Sequence, residues 1–442
     1  MTISKNIVAT NGVKPLQDLK FEFTTSNKWT YINGATTANN GAAASAQDSQ
    51  GNVYVVGYEM NSGNSDAYLI KIASASGQLM SKTPIFVTAG DDRATGIFID
   101  TTSNKAFICG YTNGNGPTKF GTCGDYDMFI AKMTVGNVTP SLDWSIQYGS
   151  AKYDQATSIL SNGTNRIWVG GITTNSPATY GVDGTIIQIA NAGLIAPVAT
   201  DISSATISTR GTDYIRCLGL DTANAYVCAF GDTDGNLTLP AAVANVNGER
   251  RLFGQQFSYA AAVTSTNPAL MDAFPPSGQD RVNGVGKDVS GAFNLAGTRT
   301  TGAANQTILR RVTSISTNLS LSPTNWTSGN GELGTGIVYD ADSTFLYTTG
   351  RQILAGGNSE VIIRQFTLAT LAPSVATWPI LISGNGFDQG MDITVTPSPV
   401  GISPISLYIT GSTRSTDFDG LSQTGGQEKT FAIRVDKNGN KY

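Results

Sequence analysis

Carboxylate side chains recur at the start of one predicted strand in most of the repeated units of this chain. They are Asp91, Asp92, Asp154, Asp213, Asp280 and Asp388. Two carboxylates facing one cleft can cleave a glycosidic bond, so carboxylate catalysis is one hypothesis. A catalytic pair would break the symmetry of the repeat, whereas these residues recur in nearly every unit. We therefore favour a turn or cap role for them.

The absence of histidine excludes several kinds of catalytic and metal-binding site. The chain contains no His, which excludes Ser–His–Asp catalysis, Cys–His catalysis and His-ligated metal sites. Two loops have the Asp-x-Asp-Gly form, one with Asp232 and Asp234 and the other with Asp417 and Asp419. Such loops offer two carboxylates around a sharp turn and are candidate Ca²⁺ sites. Plain Asx-turns explain them equally well, and we predict no other cofactor.

Three aromatic residues stand at the ends of predicted second strands. Tyr58, Tyr111 and Phe230 would form a sugar-binding platform if the rim of the fold exposed them. The alternative is that they pack between neighbouring units.

Four cysteines are present, and two of them are candidates for a disulfide. With a turn at residues 221–224, Cys217 would lie directly opposite Cys228. Opposed strand positions bring Cβ atoms to about 4.5–5.5 Å, which is close to disulfide range. The alternative is two small buried side chains. No Cys-x-x-Cys pair predicts a zinc site.

A strand-like segment recurs seven times and determines the predicted architecture. The copies are Asn52–Tyr58, Lys105–Tyr111, Arg166–Ile172, Ala225–Phe230, Ala292–Thr298, Phe345–Arg351 and Ser406–Ser412. Each copy is preceded by a strand with small residues and followed by a third and usually a fourth strand. A period of this length built from short strands indicates a propeller. We predict an all-β fold, a single seven-bladed β-propeller with four-stranded blades.

The two ends of the chain predict how the ring closes. The seventh unit has only three strands, and the missing fourth strand is found at residues 27–33. We predict that the N-terminal strand pairs with the last blade, because an open ring would leave an unpaired edge. The predicted organisation is an arm or extension at 1–26 and a propeller at 27–442. Residues 27–36 complete blade seven, and 237–279 form a long insertion in blade four.

The repeat resembles a known family. Residues Gly90–Asp100, Asn52–Tyr58 and Asp66–Lys71 are similar to the three strand motifs of the seven-bladed β-propeller repeat family, abbreviated SBBP. The resemblance covers roughly residues 27–437. It implies a fold and no activity, and it is typical of secreted or surface proteins.

Composition narrows the partners of the chain. Of 442 residues only 14% are charged, the net charge is -4, and Lys and Arg form no run. A nucleic-acid partner is therefore not expected. No segment is apolar enough for membrane insertion, and no signal peptide is recognisable.

These features lead to a functional prediction. We predict a non-enzymatic structural or binding protein associated with a virion, such as a decoration, tail or receptor-binding component, whose partners are other structural proteins. The second hypothesis is a secreted or cell-surface adhesin that binds glycans or proteins through rim loops. The predicted location is accordingly a virion, the cell surface or the extracellular space.

Overall fold

The computed structural model describes residues 29–439 apart from several short segments. The segments left out are 34–37, 164, 175–180, 193–195, 210, 236–249, 260–262, 265–269, 272–277, 289, 316–319, 330, 341–343, 375–376, 397–405, 423–426 and 437–438. The predicted arm at 1–26 lies outside the described residues.

Thirty strands account for almost all of the regular structure in the described residues. In chain order they are β1 (Thr30–Ile32), β2 (Asn40–Gln47), β3 (Val53–Asn61), β4 (Asn64–Ile72), β5 (Leu79–Phe86), β6 (Asp92–Asp100), β7 (Lys105–Thr112), β8 (Lys119–Gly121), β9 (Asp127–Thr134), β10 (Ser141–Gly149), β11 (Asp154–Ser161), β12 (Ile167–Thr173), β13 (Asp183–Ile189), β14 (Ile202–Ile207), β15 (Asp213–Asp221), β16 (Tyr226–Thr233), β17 (Arg251–Ser258), β18 (Leu270–Met271), β19 (Gln279–Lys287), β20 (Phe293–Thr301), β21 (Ala304–Ser314), β22 (Ser320–Thr327), β23 (Glu332–Tyr339), β24 (Phe345–Ile353), β25 (Ser359–Thr367), β26 (Ala372–Pro373), β27 (Ile380–Ile382), β28 (Asp388–Val395), β29 (Ser406–Thr413) and β30 (Lys429–Asp436).

The strands form seven sheets that are the blades of a propeller, and all neighbouring strands are antiparallel apart from β8 and β10, which confirms the predicted fold class. In blades one, three, four and five the strands follow chain order from the axis outward, beginning with β2, β11, β15 and β19, and the innermost strands of blades two and six are β6 and β23. The seventh blade has the order β28, β29, β30, β1, so the N-terminal strand supplies its outer edge. Thr30 pairs with Ile433, and Ile32 pairs with Phe431. The ring is therefore closed by strand pairing between the two ends of the chain, as the sequence predicted.

The hydrophobic core lies between blades. Seven clusters of buried apolar residues each join two successive blades. The second and third strands of a blade are covered on both faces, which explains their continuous apolar runs. In β3, for example, the residues from Val53 to Val56 are all fully buried.

Three blades depart from the common pattern. In blade six two short strands, β26 and β27, both pair with β25. Blade two has an additional strand, β8, that runs parallel to β10 at its outer edge. In blade four the segment predicted as an insertion at 237–279 contains the third strand, β17, and the short fourth strand, β18. No helix in the described part of the chain is long and apolar enough to cross a membrane.

Candidate functional site

Every innermost strand has a β-bulge near its middle, and the bulges line the axis of the ring. The residues left without a cross-strand partner are Ala43, Thr95, Thr157, Arg216, Asn283, Thr335 and Met391. A bulge bends its strand and redirects one side chain. Here all seven bulged residues line a central channel of about 260 Å³.

Four of the bulged residues connect one blade to the next. Thr95, Thr157 and Thr335 each donate a hydroxyl hydrogen bond to a main-chain oxygen of the following blade, at 2.6 to 2.8 Å. The side-chain amide of Asn283 does the same at 2.6 Å. Arg216 departs from this pattern, because it lines the channel while its guanidinium group pairs with Asp232 of the same blade. The channel is therefore polar and asymmetric.

A carboxylate of the last blade also faces the channel. Asp392 accepts hydrogen bonds from the main-chain N–H of Ser45 at 2.8 Å and from its hydroxyl at 3.1 Å. Burial raises the pKa of the Asp392 carboxyl, and these hydrogen bonds partly oppose the effect. Asp392 thus joins blade seven to blade one inside the channel.

An aromatic group with one arginine lies on the face of the ring where the innermost strands begin, which we call the front face. This mouth cluster consists of Tyr58, Arg93, Tyr111, Tyr126 and Tyr153. Arg93 and Tyr111 are directly opposed on neighbouring strands, which places their side chains together. The guanidinium carbon of Arg93 lies 4.2 Å from the centre of the Tyr58 ring. The cluster thus begins with a cation stacked on an aromatic face.

The remaining tyrosines extend the cluster across blades two and three. The Tyr111 and Tyr126 rings are 5.8 Å apart, edge to face, and the Tyr126 and Tyr153 rings are 5.3 Å apart. All four tyrosines are half-buried. Burial is the largest influence on Tyr111 and Tyr153 and raises the pKa of both phenols. The Arg93 charge lowers the pKa of Tyr111 and offsets part of that rise.

Blade four contributes a second arginine group near the channel. The guanidinium groups of Arg216 and Arg250 lie 4.1 and 5.0 Å from the centre of the Tyr214 ring. Both arginines also bind the fully buried carboxylate of Asp232, at 2.8 and 2.6 Å. Arg250 reaches Asp234 at 3.3 Å as well. These charges are compensated within the blade.

The carboxylates at the strand starts act as caps. Asp92, Asp154 and Asp213 each accept the main-chain N–H and the hydroxyl of the Thr or Ser four residues earlier, at 2.6 to 3.1 Å. Asp388 accepts the hydroxyls of Thr413 and Ser415, at 2.6 and 2.8 Å.

The other two predicted carboxylates are also engaged. Asp91 accepts both the main-chain N–H and the hydroxyl of Ser65 at 2.8 Å, which ties blade one to blade two. Asp280 pairs with Arg299 through two hydrogen bonds. Asp91 thus joins two blades and Asp280 forms an ion pair, so the cap interpretation fits only Asp92, Asp154, Asp213 and Asp388.

The predicted platform residues have different surroundings. Tyr58 and Tyr111 lie together with Arg93 in the mouth cluster and are partly exposed. Phe230 is fully buried between blades four and five, with its ring centre 5.2 Å from that of Phe293. Phe230 therefore cannot contribute to an exposed platform, and the packing alternative is correct for this residue.

The predicted Ca²⁺ ligands have other partners. Asp232 and Asp234 face arginine side chains, whose positive charges oppose a bound cation. Asp417 accepts the main-chain N–H of Asn385, and Asp419 accepts the hydroxyl of Thr30. In the described ranges no three His, Cys, Asp or Glu residues are grouped to hold a metal ion.

The predicted disulfide is wrong, because the turn begins one residue later than expected. Asp221 pairs with Tyr226, so Cys217 lies opposite Phe230 and Cys228 lies opposite Gly219. Both cysteines are free and buried. Burial raises the pKa of both thiols, that of Cys228 to about 12. They are the two small core side chains of the alternative interpretation.

Sequence reasoning did not find Arg93, Tyr126, Tyr153 or Arg216. A usable signal was nevertheless present. Arg93 follows the capping Asp92, Tyr153 precedes the capping Asp154, and Tyr126 precedes Asp127 in the same way. The residue next to a repeated aspartate differs in type from blade to blade. Such variable positions beside a conserved element of the repeat are where a site specific to one part of the ring can be sought.

Several solved structures share the propeller fold with this chain. The periplasmic gluconolactonase of Pseudomonas aeruginosa is 12% identical with a TM-score of 0.49, and the match covers 89% of this chain and 96% of that one. The oligogalacturonate lyase of Vibrio parahaemolyticus is 9% identical with a TM-score of 0.47, and the match covers 94% and 98%. A polysaccharide lyase is 8% identical with a TM-score of 0.49, and the match covers 94% of both chains. No protein-family model and no curated protein sequence matches the chain.

These similarities contradict the predicted non-enzymatic role. The chain was expected to be a virion component or an adhesin without catalytic activity, whereas the similar structures include lactonases and lyases. At such low identity the likeness extends to the fold alone. Any activity of this chain must therefore be argued from its own residues.

Proposed function

We propose that this protein is an enzyme that cleaves a glycosidic bond in an anionic carbohydrate at the mouth cluster. The observation that carries the proposal is the environment of Arg93. Its guanidinium group lies on the Tyr58 ring and beside Tyr111, and its Nε donates to the Ser65 hydroxyl at 3.2 Å. Among the described residues no carboxylate lies within ion-pairing distance of it. Arg216, Arg250, Arg299 and Arg364, in contrast, all pair with an acidic side chain.

An arginine with this environment suits a carboxylate ligand. The planar guanidinium group can bind both oxygens of a carboxylate, and the hydrogen bonds are charge-assisted. The tyrosine rings around it combine an apolar face with a hydroxyl group, which is the combination that a sugar ring requires. A sugar acid would therefore place its carboxylate on Arg93 and its ring against the neighbouring tyrosines.

Tyr111 is the residue we assign to proton transfer. Burial raises the pKa of its phenol, so the hydroxyl is protonated at neutral pH and can donate a proton to a leaving oxygen. The charge of Arg93 lowers the same pKa and would stabilise the phenolate that remains. Arg93 would also stabilise negative charge that develops on the substrate carboxylate. Both cleavage by water and cleavage by elimination require this proton on the leaving oxygen. The attacking water in hydrolysis, or the ring carbon next to the carboxylate in elimination, loses one proton, and the Tyr111 phenolate would take it up and so restore the phenol.

A panel of oligosaccharides tests the proposal. Oligogalacturonate, oligoalginate and oligoglucuronate are incubated with the full chain, and new reducing ends are measured together with the ultraviolet absorbance of unsaturated products. The second readout distinguishes elimination from hydrolysis. Cleavage of at least one acidic substrate, without cleavage of neutral analogues such as cello-oligosaccharides, is the expected result. Failure on all acidic substrates, or equal rates on neutral ones, would remove the proposal.

Variants of the mouth cluster test the assigned residues. Arg93→Ala should lower kcat/KM by about 10- to 100-fold, the value of one or two charged hydrogen bonds. Tyr111→Phe should lower kcat by at least about 100-fold with little change in KM. Arg166→Ala and Tyr226→Phe are matched controls, because both residues lie near the opposite face of the ring, beside the turns that follow β11 and β15. Equal effects in the mouth and control variants would show that the mouth cluster is not the site.

The family assignment belongs to the same proposal. We infer that the repeat is a member of the SBBP family, supported by the motifs Asn52–Tyr58 and Asp66–Lys71, which, apart from Asn52, lie within β3 and β4. The seven-bladed architecture agrees with this assignment.

A further inference from the structure

A second recess opens on the front face, away from the axis, between blades two and three. Its volume is about 490 Å³, within the range of small-molecule sites. The additional strand β8 and the end of β10 form one wall, and β14 forms the other. We call this recess the hydroxyl cleft.

Hydroxyl groups dominate the walls of the cleft. Ser204, Thr206 and Ser208 are exposed and alternate along β14 and the residue that follows it, so their side chains point the same way. Alternate residues of a strand are about 6.6 Å apart, so this row spans about 13 Å. The phenol of Tyr148 on the other wall donates to the Ser204 hydroxyl at 3.2 Å. Within the described part of the chain, Thr206 and Ser208 have no hydrogen-bond partner for their hydroxyls.

The charge of the cleft limits what it can bind. The described lining residues include the carboxylates Asp154 and Asp183 but no Lys or Arg. Both carboxylates are buried, and Asp154 accepts two hydrogen bonds from Ser150 at 2.7 Å. An anionic group would be repelled here, whereas a neutral polyhydroxylated group would find many donors and acceptors. The cleft therefore favours an uncharged ligand, whereas Arg93 favours an anionic one.

The cleft and the mouth cluster are connected along one surface. Tyr126 and Tyr153 form a bridge between blades two and three. The main-chain N–H of Asp154, a residue of the cleft wall, donates to the main-chain oxygen of Tyr126 at 2.6 Å, so the backbone that carries Tyr126 and Tyr153 adjoins the cleft. A chain-like ligand can therefore contact both regions at once.

We propose that the hydroxyl cleft binds an uncharged saccharide segment of the substrate. The inference rests on the proposed function for the identity of the ligand, which would combine an anionic sugar at Arg93 with neutral sugars in the cleft. It adds a substrate class, a mixed polysaccharide with charged and uncharged units, to the cleavage reaction.

Calorimetric titration with uncharged trisaccharides tests this inference directly. Cellotriose, maltotriose and chitotriose serve as probes of the full-length chain. Thr206→Trp places a large ring in the cleft from an exposed edge strand, and Thr139→Trp is the matched control on an exposed loop between β9 and β10. We expect at least one probe to bind, Thr206→Trp to weaken it at least about tenfold, and Thr139→Trp and Arg93→Ala to leave it unchanged.

The outcomes separate this inference from the proposed function. No binding of any probe at millimolar concentration, or equal affinity in the Thr206→Trp and Thr139→Trp variants, would overturn the cleft site. Loss of binding in Arg93→Ala alone would place the sugar at the mouth and overturn it too. Probe binding that depends on Thr206, without cleavage of any acidic substrate, would refute the proposed reaction and retain the binding site. Thr206→Val with Ser208→Ala provides a smaller change if the Trp variant does not fold.

Discussion

Trp29 is the residue on which closure of the ring most depends, and Trp29→Ala is the sharpest test of the fold. Its side chain is 8% exposed, and its indole N–H donates to the main-chain oxygen of Ser74 at 2.7 Å. The ring lies 5.7 Å from that of Tyr408. Gly77 allows this close approach, since a Cβ there would lie 2.5 Å from the indole. One side chain therefore anchors the closing strand to blades one and seven.

The expected cost follows from these contacts. Truncation of a buried Trp to Ala costs about 3–5 kcal/mol, and loss of the indole hydrogen bond adds about 1 kcal/mol. The closing strand β1 pairs over only three residues, Thr30–Ile32. A loss of this size should therefore open the closing strand before the rest of the ring unfolds.

Native-state hydrogen exchange measures that opening. The Arg434 amide donates to the Trp29 oxygen at 3.0 Å, so it reports directly on the pairing of β1 with β30. Its exchange should accelerate at least about 100-fold in Trp29→Ala. Trp144→Ala is the control, because Trp144 occupies the fourth strand of blade two, is 7% exposed and belongs to a continuous blade.

Two results would refute the reasoning. Unchanged exchange at Arg434 in Trp29→Ala would mean that Trp29 does not hold the ring closed. Acceleration at Arg434 in Trp144→Ala as well would mean that the blades open together and that closure is not a separate step.

Two further predictions concern charged groups. Arg364→Ala should lower the free energy of unfolding by about 3–5 kcal/mol in denaturant titrations, because the Glu332 carboxylate, 5% exposed, would lose both of its bonds to Arg364. Arg414→Ala removes an exposed pair with Glu428 and should cost less than about 1 kcal/mol, so equal losses would contradict the role of burial. Burial raises the folded-state pKa of Asp213 above 3.8, so its stabilising contribution is complete below that pH and is lost as the pH rises through the folded pKa. As the pH falls from neutral toward about 4, the Tm of Asp213→Asn should therefore rise by less than the Tm of the unsubstituted chain. An equal rise in both proteins would show that the Asp213 carboxyl does not contribute to this pH dependence.

The cysteine prediction failed because it rested on local reasoning, and the Asp232 loop shows that a local motif does not reveal all the contacts of its residues. The opposition of Cys217 and Cys228 depended on the position of one turn, and Asp221 remains in the ladder because Lys287 and Asn224 bind its carboxylate. Lys287 belongs to the next blade. The Asp232 loop resembled a Ca²⁺ loop, yet Arg216 and Arg250 provide its counter-charges. Lys287, Arg216 and Arg250 all lie outside the short motifs from which the predictions were made.

The sequence alone determined the architecture. Strand periodicity, turn residues and the seven copies of one strand are local properties of the sequence. The last repeat lacks a fourth strand and the N-terminal segment offers one, and this specified how the ring closes. The tertiary structure alone decided the candidate site. Arg93, Tyr58 and Tyr153 belong to three blades, and the hydroxyl cleft lies between two of them. Periodic patterning records which side chains are buried within a blade, but only the closed ring determines which side chains of different blades meet.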